Sequence, residues 1–288
     1  MTEENSHQAN ETVYTAASRL RDPVRLVRSM FRDLIASREL AWRLFIRNIS
    51  ARYRQTLLGY LWAILPPIVA TAVFIFLRRS GFFKVEETSV PYIAFVFTGM
   101  VLWQTFVDAV FSPLRMINQS KSMLVKINFP HEALLLAGVA EVIFNALIRC
   151  VLLAFVLIWQ DVSVPISVLL SPIGLSVLIL VGLGFGVFLA PFAVLYHDVE
   201  QALAVVLTLW MFVTPVLYPA PNAWPGSLTM TLNPVSPVLD TTRAWILTGF
   251  PNHINSFIVV AMATIVLLFV GWVLYRLALP ILIERMGA

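Results

Sequence analysis

The sequence predicts an all-α integral membrane protein, and three observations carry that reading. Hydrophobic residues make up 59% of the 288-residue chain and charged residues only 12%, too few to surround a water-soluble core. Apolar stretches long enough to cross about 30 Å of hydrocarbon recur along it. The polar connections between those stretches are too short to form a separate catalytic domain.

Residues 1–36 read as a polar tail, expected to be mobile, with no short apolar run of the kind a cleavable signal peptide needs. Residues 37–56 read as an amphipathic interface helix. On a helical wheel Trp42, Phe45, Ile46, Ile49 and Tyr53 fall on one side and Arg43, Arg47, Ser50 and Arg54 on another. Such a helix lies in the membrane surface, its aromatics in the acyl boundary and its arginines facing lipid phosphate or a partner.

Six spans follow, at about 57–77, 92–112, 133–159, 167–195, 201–218 and 257–279. The fourth and fifth are separated only by the polar cluster around His197, Asp198 and Glu200. With the N-terminus inside, fifteen basic residues fall on cytoplasmic segments and four outside, Arg149 lying within a span. That bias places both termini, including the 280–288 tail, in the cytoplasm. The loop after the second span, Arg115 to Glu132, reads as a short basic helix carrying Lys121, Lys126 and Asn128 and stopped by Pro130.

The longest connection, about 219–256, is rich in proline yet apolar. Ser236-Pro237 starts a short helix and Gly249 stops it, and a first short helix precedes Asn233-Pro234. Two short apolar helices joined by a proline turn predict a hairpin dipping back into the outer leaflet, tolerated only where it packs on protein or lines a wet cavity.

The chemistry of enzymes is missing. No phosphate-binding GxxxxGK[ST] loop, HExxH or GxSxG occurs, and the four histidines are scattered. Cys150, the one cysteine, lies in a span and offers neither a disulfide nor a cysteine metal site. No catalytic, cofactor or metal-binding residues are assigned, and nothing points to a nucleic-acid partner.

What stands out is an intramembrane polar stripe. Glu141, Asn145 and Arg149 recur every four residues on one face of the third span, and burial in lipid is too expensive for them to face outward. They either pair between helices or form a polar wall along a hydrophilic path. Gly182, Gly184 and Gly186 in the fourth span point to close helix packing. Aromatics near span ends, Tyr60, Trp62, Trp103, Trp159, Trp210 and Tyr218 among them, serve as interfacial anchors or as stacking surfaces for sugar rings.

Several ordered motifs resemble the membrane subunit of type-2 ABC exporters, in the branch that exports O antigen, capsule or teichoic acid. They are RDL from Arg32, ARYRQTLLGYLWAILPP from Ala51, TGMVLW from Thr98, NQSKSMLVKINFP from Asn118, HDV from His197, TPVLYP from Thr214 and LNPVSPVLDTTRAWIL from Leu232. The resemblance covers about residues 32–285.

It implies six helices, the interface helix and the re-entrant hairpin, in a homodimer that binds two copies of a separate ATPase. ATP and magnesium then belong to that partner, and this chain is a permease subunit rather than an enzyme. The cargo implied is a lipid-linked polysaccharide crossing the bacterial inner membrane. Arg54, Tyr60 and Trp62 at the inner mouth, Trp103, and Tyr218, Trp224 and Trp245 near the outer gate are the expected path residues. Arg43, Arg47, Lys121, Lys126, Asn128 and Asp198 are the expected coupling residues. His197 departs from the arginine common in relatives. A small-lipid or drug exporter shares the six-span plan. An ion-coupled secondary transporter would want an internal repeat, which the chain lacks.

Overall fold

The structure is a computed structural model. It describes the backbone of residues 23–54, 61–81, 88–126, 129–196, 198–220 and 227–287, with side chains for 27–52, 64–81, 88–126, 129–196, 198–220 and 227–280. Among these residues every regular element is helical. The order is α1 (Pro23–Ala36), α2 (Arg38–Arg54), α3 (Leu61–Arg79), α4 (Tyr92–Lys126), α5 (Glu132–Trp159), a 3-10 turn (Ile166–Leu170), α6 (Ser171–Leu195), α7 (Asp198–Val213), α8 (Leu228–Leu232), α9 (Val235–Leu247) and α10 (Ile254–Gly287).

The first difference from expectation is α1, where the sequence reads as tail. Pro23 supplies a pre-set φ at the first helical position, and Val27, Met30, Phe31 and Leu34 repeat at helical spacing among the arginines that hide them. Met30 is fully buried and Phe31 meets Trp272 of α10 edge to face, ring centroids 5.5 Å apart. At Ser37 the chain turns into α2. The hydroxyl of Ser37 donates to the Asp33 carbonyl at 2.5 Å, so the joint keeps its hydrogen bonds while changing direction.

The second difference is the length of α4. Its 35 residues span about 52 Å, far more than the bilayer's hydrocarbon. The expected second span and the basic helix after it are therefore one continuous rod. A push on the Lys121 to Lys126 end reaches the middle of the bundle without crossing a loop.

Four helical segments are long and apolar enough to cross a membrane: Tyr92–Lys126, Glu132–Trp159, Ile166–Leu195 and Ile254–Pro280. The packing centre is α4 against α6, flanked by α10 and α5. Gly182 and Gly186 make that approach possible. A Cβ on Gly186 would stand 2.3 Å from the Val110 carbonyl oxygen and one on Gly182 2.7 Å from that of Phe106. Gly184 faces the other way, toward Leu267 of α10.

The outward faces of α5 and α10 are apolar. Val151, Phe155 and Ile158, and Val259, Met262 and Ile265, are each about two-thirds exposed or more, surface that only hydrocarbon or another protein can cover favourably. The shorter α3 and α7 present Val69, Val73 and Phe76, and Val205, Leu209 and Phe212, in the same way.

Candidate transport and coupling sites

The end that the sequence expects to face the cytoplasm, called the inner end below and its opposite the outer end, is built from α1, α2 and the ends of α4, α5 and α10. Here α2 shows three faces where the helical wheel showed two. Trp42 and Ile46 are about half exposed, Arg43 and Arg47 are exposed, and Ala41 and Leu44 are buried against a cluster that includes Ile117, Leu134 and Tyr275. The third face is made of small and medium residues, which a search for strong hydrophobic contrast passes over. It docks α2 on protein while the aromatic face is left for lipid.

Charged pairs then fix that docking. Arg52 of α2 reaches Glu141 of α5 at 2.7 Å, and Glu141 is only 2% exposed. Arg276 of α10 bridges Asp33 of α1 and Glu132 of α5, the latter at 2.9 Å. An ionised carboxylate this deep is tolerated only with a partner in place.

The polar stripe on α5 extends this network inward. Glu141, Asn145 and Arg149 are all buried, and Arg149 meets Asp108 of α4 at 2.6 Å. Arg115, two turns further along α4, also approaches Asp108, with its guanidinium donating to the Asp108 carbonyl at 3.2 Å. In one chain, then, the stripe faces neighbouring helices. Arg52 and Asp108 are the residues that sequence reading missed, because their partners lie 89 and 41 positions away.

At the outer end three of the quoted motifs meet. Helix α7 stops at Val213, where Pro215 has no N–H to continue the ladder, and the chain turns through Thr214 to Val216. Arg243 of α9, 3% exposed, caps that broken end. One guanidinium nitrogen donates to the carbonyls of Pro215 and Val216 at 2.8 and 3.3 Å, and another donates to Asp240 at 3.0 Å. Its plane lies 3.9 Å over the Phe95 ring.

Asn233 completes the joint, donating to the Thr214 hydroxyl at 2.8 Å and accepting from the Val235 N–H at 3.0 Å. Gly99 lets α4 pass close by, since a Cβ there would sit 2.3 Å from the Val216 oxygen. TGMVLW, TPVLYP and LNPVSPVLDTTRAWIL thus meet in one joint. Beside it opens a cavity of about 230 Å³ lined by Asp240, Arg243, Thr248, Asn252 and His253.

The expected path residues divide. Trp103 is buried against Phe106, about 16 Å into α4, because that helix begins at Tyr92 and carries the tryptophan well past the interface. It is not an interfacial anchor. Trp245 is likewise inside, against Phe257 at 5.3 Å, its carbonyl accepting from the Ser167 hydroxyl. Tyr218 is half-buried, with its hydroxyl 3.1 Å from the Phe212 and Val213 carbonyls. Tyr60 and Trp224 lie outside the described residues, as do the side chains of Arg54 and Trp62.

Among the expected coupling residues, Arg43 pairs with Glu39 on the open face of α2, and Arg47 reaches Asn48 and Met123. Lys121 is half-buried, and Lys126 and Asp198 are exposed. Asn128 and His197 lie outside the described residues. Asp198 and Glu200, expected in a loop, form the first turn of α7, which contacts α4 because the Asn118 amide donates to Glu200 at 3.1 Å.

The fold and these sites define an integral membrane protein whose surface helices are tied by charge into a helical bundle. The chain belongs to the ABC-2 type transporter family, which it matches over residues 39–247. It is 28% identical to an O-antigen export system permease protein, RfbA, of Myxococcus xanthus over 75% of this chain and 83% of that one. An RfbA of Klebsiella pneumoniae is 22% identical over 72% of this chain and 80% of its own length. The polysialic acid transport protein KpsM of Escherichia coli is 24% identical over 81% and 91%.

Proposed function

We propose that this chain is the permease subunit of an ATP-driven exporter that carries a lipid-linked polysaccharide, O antigen first, out of the cytoplasm across the bacterial inner membrane. The observation that carries the reading is the similarity to an O-antigen export permease over 75% of this chain and 83% of that one, joined to family membership. The six-span plan, the re-entrant hairpin formed by α8 and α9, and cytoplasmic termini complete the picture. Short α3 and α7, with the buried α9, are what such a plan requires.

Two copies of the chain would face one another, with two copies of a separate ATPase beneath them holding ATP and magnesium. The exposed Arg43, Arg47, Lys126 and Asp198, with the half-buried Lys121, offer the partner a surface on α2, α4 and α7, and Asn128, outside the described residues, remains a proposed contact. Arg54, Tyr60, Trp62, Tyr218 and Trp224 remain the proposed contacts of the glycan. A polymer that slides needs many weak contacts, which aromatic faces and neutral polar groups supply. Trp103 and Trp245 act more indirectly, as packing beneath the path.

A capsule polysaccharide is the second reading, favoured by the similarity to the polysialic acid transporter over most of both chains. Deleting the gene and locating the undelivered polymer tests both. Lipid-linked glycan trapped inside the cell supports export, and its composition separates O antigen from capsule. Normal delivery to the surface would refute both.

A further inference from the structure

We propose that the Arg52–Glu141 ion pair is a strut that passes movement of the surface helix α2 directly into the spanning helix α5; this rests on the exporter reading above. Among the described residues it is the one ion pair that joins α2 to a spanning helix. The remaining contacts of α2 are of a different kind. Ala41 and Leu44 pack apolar surface, which is non-directional and lets one helix slide on another. Asn48 and Arg47 reach Met116 and Met123, whose thioether sulfurs are weak acceptors. A guanidinium held at 2.7 Å by a carboxylate resists shear in a way these contacts do not.

The position of the pair fits a strut better than a brace. A buried ion pair is replaced by apolar residues of similar volume with little loss of stability, so stability alone does not call for charge here. Glu141 is 2% exposed, so separating it from Arg52 is unfavourable and the two move together. Eight residues further along the same face, about 12 Å, Arg149 locks α5 to Asp108 of α4. Motion entering at Glu141 therefore arrives at the centre of the bundle through two charge-assisted contacts on one helix. The ion pair is a route into the bundle that does not depend on the chain connection between α2 and α3.

The test uses the full chain with its ATPase in vesicles, following ATP hydrolysis and glycan export together. Glu141→Gln and Arg52→Met should keep ATP hydrolysis within about twofold while export per ATP falls at least about tenfold; Arg52→Lys, which keeps the charge, should lose no more than about threefold. If the single variants fold poorly, the double variant Arg52→Met/Glu141→Leu carries the test. It should regain wild-type thermal stability in detergent and still export poorly. Export restored together with stability in the double variant, or undiminished in the well-folded single variants, would overturn the strut while leaving the exporter reading intact. Wild-type vesicles that hydrolyse ATP without exporting glycan would overturn the exporter reading, and the strut with it.

Discussion

At the inner end of the bundle side chain meets side chain, Arg52 with Glu141 and Arg276 with Glu132, whereas at the outer end Arg243 meets backbone, the carbonyls of Pro215 and Val216. The difference separates two mechanical roles. A salt bridge between two helices ties one to the other, so that a shift of either carries its partner along. A planar fork seated on the carbonyls of one turn holds in a single arrangement. The inner end is therefore where displacement can enter, and the outer joint is where the bundle keeps its shape.

Breaking the outer joint should have the largest effect. Arg243→Met leaves two turn carbonyls uncapped and Asp240 without its cation, a loss of about 3–5 kcal/mol. Extracted protein should fall sharply and melt earlier, and Arg243→Lys should recover only part of it, since an ammonium cannot fork. Asp108→Leu, which strands the buried Arg149, should cost about 3 kcal/mol by the same thermal assay. If Asp108→Leu proved the costlier of the two, the contrast between the ends would blur.

Glycine substitutions sharpen the comparison next. Gly186→Ala drives a methyl into the Val110 carbonyl and should cost about 1–3 kcal/mol in thermal unfolding. Gly184→Ala meets only the end of Leu267, 3.0 Å away, and should cost under about 1 kcal/mol. The smallest effect belongs to Arg43→Ala. Its pair with Glu39 is exposed on both sides and contributes no more than about 0.5 kcal/mol, so the melt should be unchanged while any loss of ATPase binding stands out.

Much of the helical plan was legible in the sequence because bilayer-length apolar runs and proline breaks are local signals. The two short helices before α10 announced themselves through the break at Asn233-Pro234, the Ser236-Pro237 start, which lies just inside the observed start at Val235, and the stop at Gly249, each acting on its own neighbours. The continuity of α4 was hidden by a change of composition at Arg115 that altered the helix's surroundings without ending it. Helix α1 was hidden by arginines set between its apolar positions.

The sites were less legible, for a reason of distance. Glu141, Asn145 and Arg149 share a helix face and so could be found, but Arg52 and Asp108 become their partners only through packing. Arg243 stood inside a quoted motif without a role, because its role is defined by a turn 27 and 28 residues earlier. Trp103 misled because it was grouped with the interfacial aromatics, although the expected span 92–112 begins where the helix does and already put it at mid-span.

The most direct measurement is glycan delivery into inside-out vesicles that hold this chain with its ATPase and present the lipid-linked polymer on the ATP-accessible face. The account predicts polymer reaching the lumen only with hydrolysable ATP, and vesicles carrying the chain alone staying empty. Delivery that continues without ATP, or intact complexes that hydrolyse ATP and move no polymer, would contradict it.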